Sequence, residues 1–231
     1  MTSVAIMQPT YLPWMGYFAL MDRVDQFVLL DCVQFERASW QQRNRIKGPT
    51  GEQMLTVPVF KKGLREQLIS DVRINAEAGF PESHIRAIDN CYARAEFRDA
   101  YFPPLRAILS RSHEKLMALT IELIGWLADA LGISTPRVVA GSLGAGGRKA
   151  DLLADICGRL GADTYVSPPG AQNYMERNEA FDRAGIRVVT HSFEHPRYTQ
   201  LHGDFVPQLS VIDLLFNEGP GSSAILRSGL R

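Results

Sequence analysis

The sequence lacks the features that identify membrane, secreted and metal-binding proteins. No apolar run reaches the roughly 20 residues that a transmembrane helix needs. The N-terminal MTSVAIMQP has neither the basic region nor the long apolar region of a signal peptide. There are only three cysteines, far apart, and no CxxC or HExxH motif. We therefore expect a cytoplasmic protein with no disulfide framework, no metal site and no membrane partner.

There is also no excess of charge of either sign. Lys+Arg and Asp+Glu both number 25, so the formal net charge is zero. This balance gives no general support for binding to nucleic acid or to an anionic membrane. Hydrophobic residues make up 45% of the 231 residues, which is enough for a sizeable core. The length suits a single domain covering residues 1–231.

The hydrophobic pattern predicts an α/β fold. A buried strand at 3–6, a helix at 16–24 and a second buried strand at 26–31 form a βαβ unit. Later strands are predicted in EQMLTVPVF, LISDVRIN, PRVVA, TYVS and IRVVTHSF, and later helices in RKADLLADICGRLGA, NEAFDRAG and LSVIDLLFNEG. Ligands of such parallel sheets bind beyond the carboxyl ends of the strands.

Two further segments differ from this alternation. Residues 77–132 have a helical pattern, which we expect to form a helical subdomain broken at Pro103-Pro104. Residues 219–231 are rich in glycine and serine at their start and are predicted to be a mobile tail. The expected architecture is a parallel-sheet core with a helical insertion.

The segment MQPTYLPWMGYF follows the first strand, where many α/β enzymes hold a phosphate. Nucleotidylyltransferases and class I aminoacyl-tRNA synthetases have an HxGH-like motif in this context. WMGY stands in the equivalent place, keeps the glycine and lacks both histidines. The similarity implies a nucleotide-binding-like (HUP/nucleotidylyltransferase-like) frame without the usual phosphate chemistry. We expect Gln8, Tyr11 and Trp14 to form one wall of a ligand site, with core packing as the alternative for Trp14 and for the neighbouring Tyr17 and Phe18.

Polar residues also follow the second predicted strand. Asp31 and Gln34 lie just beyond it, and RNRIK then concentrates hydrogen-bond donors. Guanidinium groups bind phosphate or carboxylate through paired hydrogen bonds, and asparagine adds a neutral donor. We expect this cluster to hold the anionic part of a substrate: Arg43, Asn44, Arg45 and Lys47. The alternative is a solvated basic loop.

Two glycine-containing loops add further candidates. GSLGAGGRKAD precedes a predicted helix but lacks the spacing of a P-loop. Ser142 and Lys149 are candidate anion ligands in it, and a flexible turn is the alternative. YVSPPGAQNY follows a predicted strand and supplies Ser167, Asn173 and Tyr174 as candidate substrate ligands.

The segment HPRYTQLHG supplies the candidate catalytic residues. His195 is the candidate general base, because the ordinary pKa of histidine lies near neutrality. Tyr198 is the second catalytic candidate and Gln200 a substrate ligand, whereas a structural role is the alternative for the histidine. Ser210 and Asp213 have the spacing of a helix capping box, which favours a structural role for both.

Together these segments resemble the WbqC-like protein family of bacteria. The resemblance is carried, in the expected order, by VAIMQPTYLPWMGYF, LDCVQF with RNRIK, LTVPV, DLLADICGRLGADTYVSPPGAQNY and HPRYTQLHGDFVPQLSVIDLLFNEG. The family is linked to the synthesis of O-antigen and other surface polysaccharides. The resemblance therefore implies a role near nucleotide sugars or related small molecules. Members commonly have a histidine where this chain has Met7; if that histidine is catalytic in relatives, the chemistry or substrate differs here.

Three functions follow from these observations. The leading hypothesis is a cytoplasmic transferase that acts on a small phosphate- or carboxylate-bearing substrate, with a nucleotide-linked compound as one form of it. The group transferred would be an acyl or aminoacyl group, and the acceptor an amine. The alternatives are a non-catalytic ligand-binding or scaffold protein on a degenerate nucleotide-binding fold, and a transferase that uses aminoacyl-tRNA. The synthetase-like frame favours the last, but the zero net charge does not.

Overall fold

The computed structural model describes residues 1–61, 63, 66–168 and 179–231. The strands in this part of the chain are β1 (Ser3–Met7), β2 (Gln26–Leu29), β3 (Arg43–Gly48), β4 (Gly51–Thr56), β5 (Arg137–Val139), β6 (Thr164–Ser167) and β7 (Arg187–Thr190). The α-helices are α1 (Met15–Asp22), α2 (Glu82–Tyr92), α3 (Arg98–Leu109), α4 (Leu116–Ala130), α5 (Ala150–Arg159), α6 (Ala180–Arg183), α7 (Val211–Glu218) and α8 (Ser222–Ser228).

The central sheet has the strand order β5-β2-β1-β6-β7. All four of its strand pairs are parallel, so the carboxyl ends of the five strands share one edge. β1 lies in the middle and pairs with β2 in the register Val4 to Gln26. The predicted α/β class and parallel sheet are confirmed. β3 and β4 form a separate antiparallel hairpin.

Helices cover both faces of the sheet and bury two cores. The larger core lies on the side of α1, α4 and α7 and includes Phe18, Phe27 and Leu123, each with no exposed surface. The smaller core lies on the side of α5 and α6 and includes Ile156 and Phe181. No helix in the described ranges has the length and apolar character needed to cross a membrane.

Three predicted elements differ in the structure. The basic segment RNRIK, for which no strand was predicted, forms most of β3, and its polar side chains are partly buried because they bond to other parts of the chain. LISDVRIN, predicted as a strand, contains a short 3-10 helix at Ile69–Asp71. Pro103 and Pro104 do not break the helical pattern but lie inside α3. The missing proline N–H groups remove only two donors, while α3 buries four apolar residues, Phe102, Leu105, Ile108 and Leu109.

The C-terminal segment, for which we expected mobility, contains α8 and packs against the strand β7 region. The Glu194 N–H donates to the Gly229 carbonyl oxygen at 2.9 Å. The Arg231 guanidinium pairs with the Glu194 carboxylate at 2.8 Å. These contacts hold the segment against residues 192–194.

Candidate functional site

A cavity of about 270 Å³ opens at the carboxyl edge of the sheet, beside the end of β1. Its walls come from the end of β1 and the loop after it, the start of α1, the segment around β3, and the loop before α7. The lining residues are Met7, Thr10, Trp14, Tyr17, Trp40, Asn44, Arg45 and Gln208. The cavity lies at the edge of the sheet where the sequence predicts a ligand site.

Trp14 is held in place by close packing on three sides. Its ring lies over Gly16, where an added Cβ atom would come within 2.2 Å of the Trp14 ring. The ring also packs edge-on against Phe193, with centroids 5.7 Å apart, and is stacked on His195 at 6.1 Å. Gly16 is thus required by an aromatic neighbour, and its place in WMGY has a packing reason.

Gly16→Ala will therefore displace the Trp14 ring. We expect a loss of about 1–3 kcal/mol in the free energy of unfolding, because the methyl group overpacks a site that has no room for it. The emission of Trp14 should change as well, since its surroundings change. The matched control is Gly125→Ala in α4, where an added Cβ atom meets nothing within 4 Å and a gain of about 0.5–1 kcal/mol is expected. Equal effects of the two changes in urea unfolding would refute the packing role.

Asn44 and Tyr11 hold the loop after β1 from beneath. The buried Asn44 amide donates to the carbonyl oxygens of Leu12 at 2.6 Å and Tyr11 at 3.2 Å. The Tyr11 ring is buried, and its hydroxyl lies 2.8 Å from Nδ1 of His84. Burial raises the pKa of this hydroxyl well above its ordinary value. The Gln8 side chain bonds to Gln41 at 2.8 Å. Tyr11 and Gln8 thus support the loop but do not belong to the cavity lining.

Positive charge lies at the rim of the cavity beside Trp40. The guanidinium groups of Arg43 and Arg45 lie 5.8 and 5.6 Å from the Trp40 ring centroid, and Trp40 is 48% exposed. Arg45 donates to the Glu52 carboxylate at 2.6 Å and lies 3.5 Å from the Gln208 carbonyl oxygen. Among the described residues, no carboxylate pairs with Arg43. The rim therefore carries two cations and one compensating anion.

Lys47 does not line the cavity, although the sequence places it with the anion ligands. Its side chain is 2% exposed. The ammonium group donates to the carbonyl oxygens of Asp204 at 2.5 Å and Gly203 at 3.1 Å, and to Oε1 of Gln200 at 3.3 Å. All three acceptors belong to the loop between β7 and α7. Lys47 and Gln200 therefore fasten this loop to β3.

A buried carboxylate also holds this loop in place. Asp213 has no exposed surface and accepts hydrogen bonds from Tyr92 at 2.9 Å and Tyr198 at 2.8 Å. Burial raises the pKa of Asp213, while the two hydroxyl donors and the charge of Lys47 oppose the shift. Ser210 caps α7 through Ile212 as predicted, but the Asp213 side chain turns into the protein. The Tyr198 hydroxyl is committed to this carboxylate.

Both ring nitrogens of His195 are bonded to the main chain. Nδ1 lies 2.8 Å from the Pro196 carbonyl oxygen, and the Gln208 N–H donates to Nε2 at 3.0 Å. This pattern requires the neutral ring with its proton on Nδ1. Burial lowers the pKa of His195. In this arrangement neither nitrogen has a lone pair free to take a proton from a substrate, and the geometry favours a positioning role over that of a base.

Two other predicted residues join the ends of β2 and β5. The buried Asp31 carboxylate accepts the Gly141 N–H at 2.7 Å, and an added Cβ atom on Gly141 would come within 2.9 Å of it. Ser142 donates to the Val139 carbonyl oxygen at 2.7 Å. The Asp31 bond joins the ends of β2 and β5, whereas the Ser142 bond is local to the glycine-rich turn. Neither residue lines the cavity.

The remaining predicted residues lie apart from the cavity lining as well. Gln34 and Lys149 are exposed, and the buried Ser167 hydroxyl bonds to the Pro168 carbonyl oxygen at 3.3 Å. Asn173 and Tyr174 lie outside the described residues. Over the described ranges, no group of three or more His, Cys, Asp or Glu side chains is arranged to hold a metal ion.

Five lining residues were not predicted as site residues from the sequence: Met7, Thr10, Tyr17, Trp40 and Gln208. Trp40 had a usable signal, since it lies three residues before Arg43 and both tryptophan and arginine are enriched at binding surfaces. Thr10 lies between two predicted residues of the first loop. Gln208 has no local signal, because its place depends on the path of a loop that is distant in sequence.

Comparison with known proteins places these observations in a family context. The sequence model of the WbqC-like protein family matches residues 8–225. A Mycobacterium tuberculosis protein, "Uncharacterized protein Rv1507c", is 36% identical over 231 residues, with 98% of each chain covered. No solved structure gives a significant match.

Proposed function

Since the chain belongs to the WbqC-like protein family, we propose that it is a transferase that binds a small phosphate- or carboxylate-bearing substrate in the cavity at the end of β1. The observation that carries this proposal is the meeting of Trp14, Trp40 and Arg45 around one cavity. Aromatic walls take a ring or an apolar group, and a guanidinium takes an anion. We also propose that the α/β core of the protein is of the nucleotide-binding-like (HUP) type.

The size of the cavity limits what it encloses. About 270 Å³ is slightly below the range of roughly 300–1,000 Å³ that holds drug-sized ligands. The cavity therefore takes one ring or acyl group together with one anionic group, and not a whole nucleotide sugar. A larger substrate would extend over the exposed face of Trp40 and past Arg43.

The transfer step draws its support from the family resemblance. We propose that an acyl or aminoacyl group passes from a phosphate-bound donor to an amine: the bond between the acyl carbon and the phosphate oxygen breaks, the amide bond forms and the phosphate leaves. The reaction would belong to the cytoplasmic synthesis of surface polysaccharide or of related small molecules. Such a step needs an acceptor for the amine proton, and both nitrogens of His195 are already bonded. This observation favours a second candidate function, that of a ligand-binding protein without chemistry. No contact in the described part of the chain favours the use of aminoacyl-tRNA.

Ligand binding is tested with four probes: phenyl phosphate, benzoate, inorganic phosphate and benzyl alcohol. We expect phenyl phosphate and benzoate to quench tryptophan emission. Both should bind at least about tenfold more tightly than inorganic phosphate, which lacks the ring, and benzyl alcohol, which lacks the anion. Two of the three tryptophans line the cavity. Arg45→Met should weaken phenyl phosphate binding about tenfold but leave benzyl alcohol unaffected, because it removes a charge-assisted hydrogen bond.

The control for this change is Arg183→Met, an exposed arginine of α6 that pairs with Asp151. It should bind phenyl phosphate as the unchanged protein does. If neither ring-bearing anion binds at about 10 mM, where even a weak site is filled, the proposed ligand class is wrong. Mass spectrometry of an amine incubated with an acyl phosphate, with and without the protein, then separates the two candidate functions, since only a transferase raises the amide yield above that of the uncatalysed reaction.

A further inference from the structure

His195 contacts two walls of the cavity without lining it. Its ring stacks on Trp14, with centroids 6.1 Å apart and planes 11° from parallel. Its Nε2 accepts the Gln208 N–H at 3.0 Å. Both neighbours line the cavity. A single imidazole thus joins the α1 wall to the wall formed by the loop before α7.

Only the neutral ring fits these contacts. Nδ1 carries the proton that is donated to the Pro196 carbonyl oxygen at 2.8 Å, so Nε2 is left as an acceptor. In the imidazolium both nitrogens carry a proton. The Nε2 proton would then point at the Gln208 N–H, two donors would face each other at 3.0 Å, and the hydrogen bond would become a repulsion.

Gln208 depends on this hydrogen bond. Its φ angle is +58°, in the left-handed region that residues with a side chain rarely adopt. Such a conformation persists only where the surrounding contacts impose it. Two residues further on, Ser210 pairs with Trp14 through the main chain. Loss of the contact with His195 therefore acts on Trp14 directly and through this segment.

We propose that neutral His195 is the positioning residue of the cavity, and that protonation of its Nε2 releases Gln208 and Trp14 and so prevents ligand binding. The part that concerns the ligand rests on the function proposed above, whereas the movement of Trp14 does not. Acid would thus open the site, and ligand binding would favour the deprotonated ring.

The charged groups near His195 have other partners, so the titration is that of the imidazole itself. On the histidine's own loop, Glu194 pairs with Arg231, and Arg197 lies over the ring of Phe205. From β3, Arg45 pairs with Glu52 and lies 3.5 Å from the Gln208 carbonyl oxygen. From α7, the Asp213 carboxylate is separated from the imidazole by Tyr198. Burial lowers the pKa of His195, so the transition is expected below the ordinary range of histidine.

Two substitutions of His195 test its hydrogen-bond acceptor and its stacked ring separately. His195→Gln keeps an oxygen that can accept the Gln208 N–H but cannot titrate. His195→Phe keeps a ring on Trp14 but has no acceptor. Each is made in the full chain with Trp40→Phe and Trp126→Phe, so that emission reports Trp14 alone, and each is also made in the unchanged background for binding of benzoate.

With His195 intact, we expect Trp14 emission to change and benzoate affinity to fall together as the pH is lowered from 8 to 5, a range in which benzoate stays mostly ionised. His195→Gln should bind benzoate at pH 8 within about threefold of the unchanged protein and lose both pH dependences. His195→Phe should bind about tenfold more weakly at every pH. The other buried histidines, His84 and His191, have pKa values lowered to about 4 and titrate below this window.

The outcomes distinguish the two proposals. The positioning role is wrong if His195→Gln keeps the same titration of Trp14 emission, or if His195→Phe binds benzoate normally at pH 8. If the titration of Trp14 depends on His195 but benzoate binds at no pH, the positioning role stands and the proposed ligand class fails.

Discussion

Lys47→Met will lower the free energy of unfolding by about 3 kcal/mol or more, even though it removes a charge from the interior. The ammonium group is the donor for Gln200 and for the carbonyl oxygens of Gly203 and Asp204. Oε1 of Gln200 keeps the Val206 N–H as a donor, so the main loss is that of the two charge-assisted hydrogen bonds to the carbonyl oxygens, each worth about 1.5–3 kcal/mol. The charge of Lys47 also supports the buried carboxylate of Asp213, which would lose that support.

Urea unfolding of Lys47→Met beside Lys115→Met measures this effect. Lys115 is half-exposed and lies 3.6 Å from Asp71, so its replacement should change the free energy of unfolding by less than about 0.5 kcal/mol. Because Lys47 holds the loop that ends at Gln208, phenyl phosphate binding should fall as well. A variant as stable as the control, with weakened binding of the ligand, would show instead that Lys47 contacts the substrate.

Acid will destabilise the fold between pH 6.5 and about 4 through two buried histidines. Burial lowers the pKa of both His84 and His191 from 6.5 to about 4. The unfolded chain takes up a proton at each near pH 6.5, whereas the folded protein takes it up only near pH 4. The unfolded chain therefore binds more protons throughout the window. As the pH decreases, the free energy of unfolding also decreases, by up to about 3 kcal/mol for each histidine.

Free energies of unfolding measured at several pH values check this prediction. His191→Phe should reduce the slope of the free energy of unfolding against pH by the equivalent of up to one proton. It should not lower stability at pH 7, since neither ring nitrogen of His191 has a hydrogen-bond partner in the described structure. His84→Gln should reduce the slope similarly but cost stability at every pH, because the His84 ring bonds to Tyr11 and to the Thr56 carbonyl oxygen. The raised pKa of Asp213 acts in the opposite direction and partly offsets the histidines. A flat profile between pH 7 and 5 would contradict the prediction.

The elements with strong local patterns were predictable from the sequence. β1, α1 and β2 follow one another with clear hydrophobic periodicity, and their order implies a parallel pair with its ligands at the carboxyl edge. β3 was missed because it consists mostly of polar residues. Its burial comes from partners such as Gly203 and Asp204, which lie more than 150 positions away. No local pattern contains that information.

The candidate site was predictable in its position and only partly in its members. The first loop and the basic segment do meet at one cavity, through Trp14, Asn44 and Arg45. The role expected for Lys47 depended on its charge, whereas its burial decides its partners. For His195 the residue type favours a base, but the φ angle of Gln208 and the path of the loop decide what its nitrogens meet. Such geometry arises from the whole fold.

The main-chain bridge between Trp14 and Ser210 has a consequence for the folding of the protein during translation. The Val211 N–H also donates to the Pro13 carbonyl oxygen at 2.9 Å, so the first loop of the chain is completed by residues made almost 200 positions later. During translation, a nascent chain that has formed β1, α1 and β2 still lacks one wall of the cavity. The cavity is therefore complete only when the segment around residue 210 has left the ribosome.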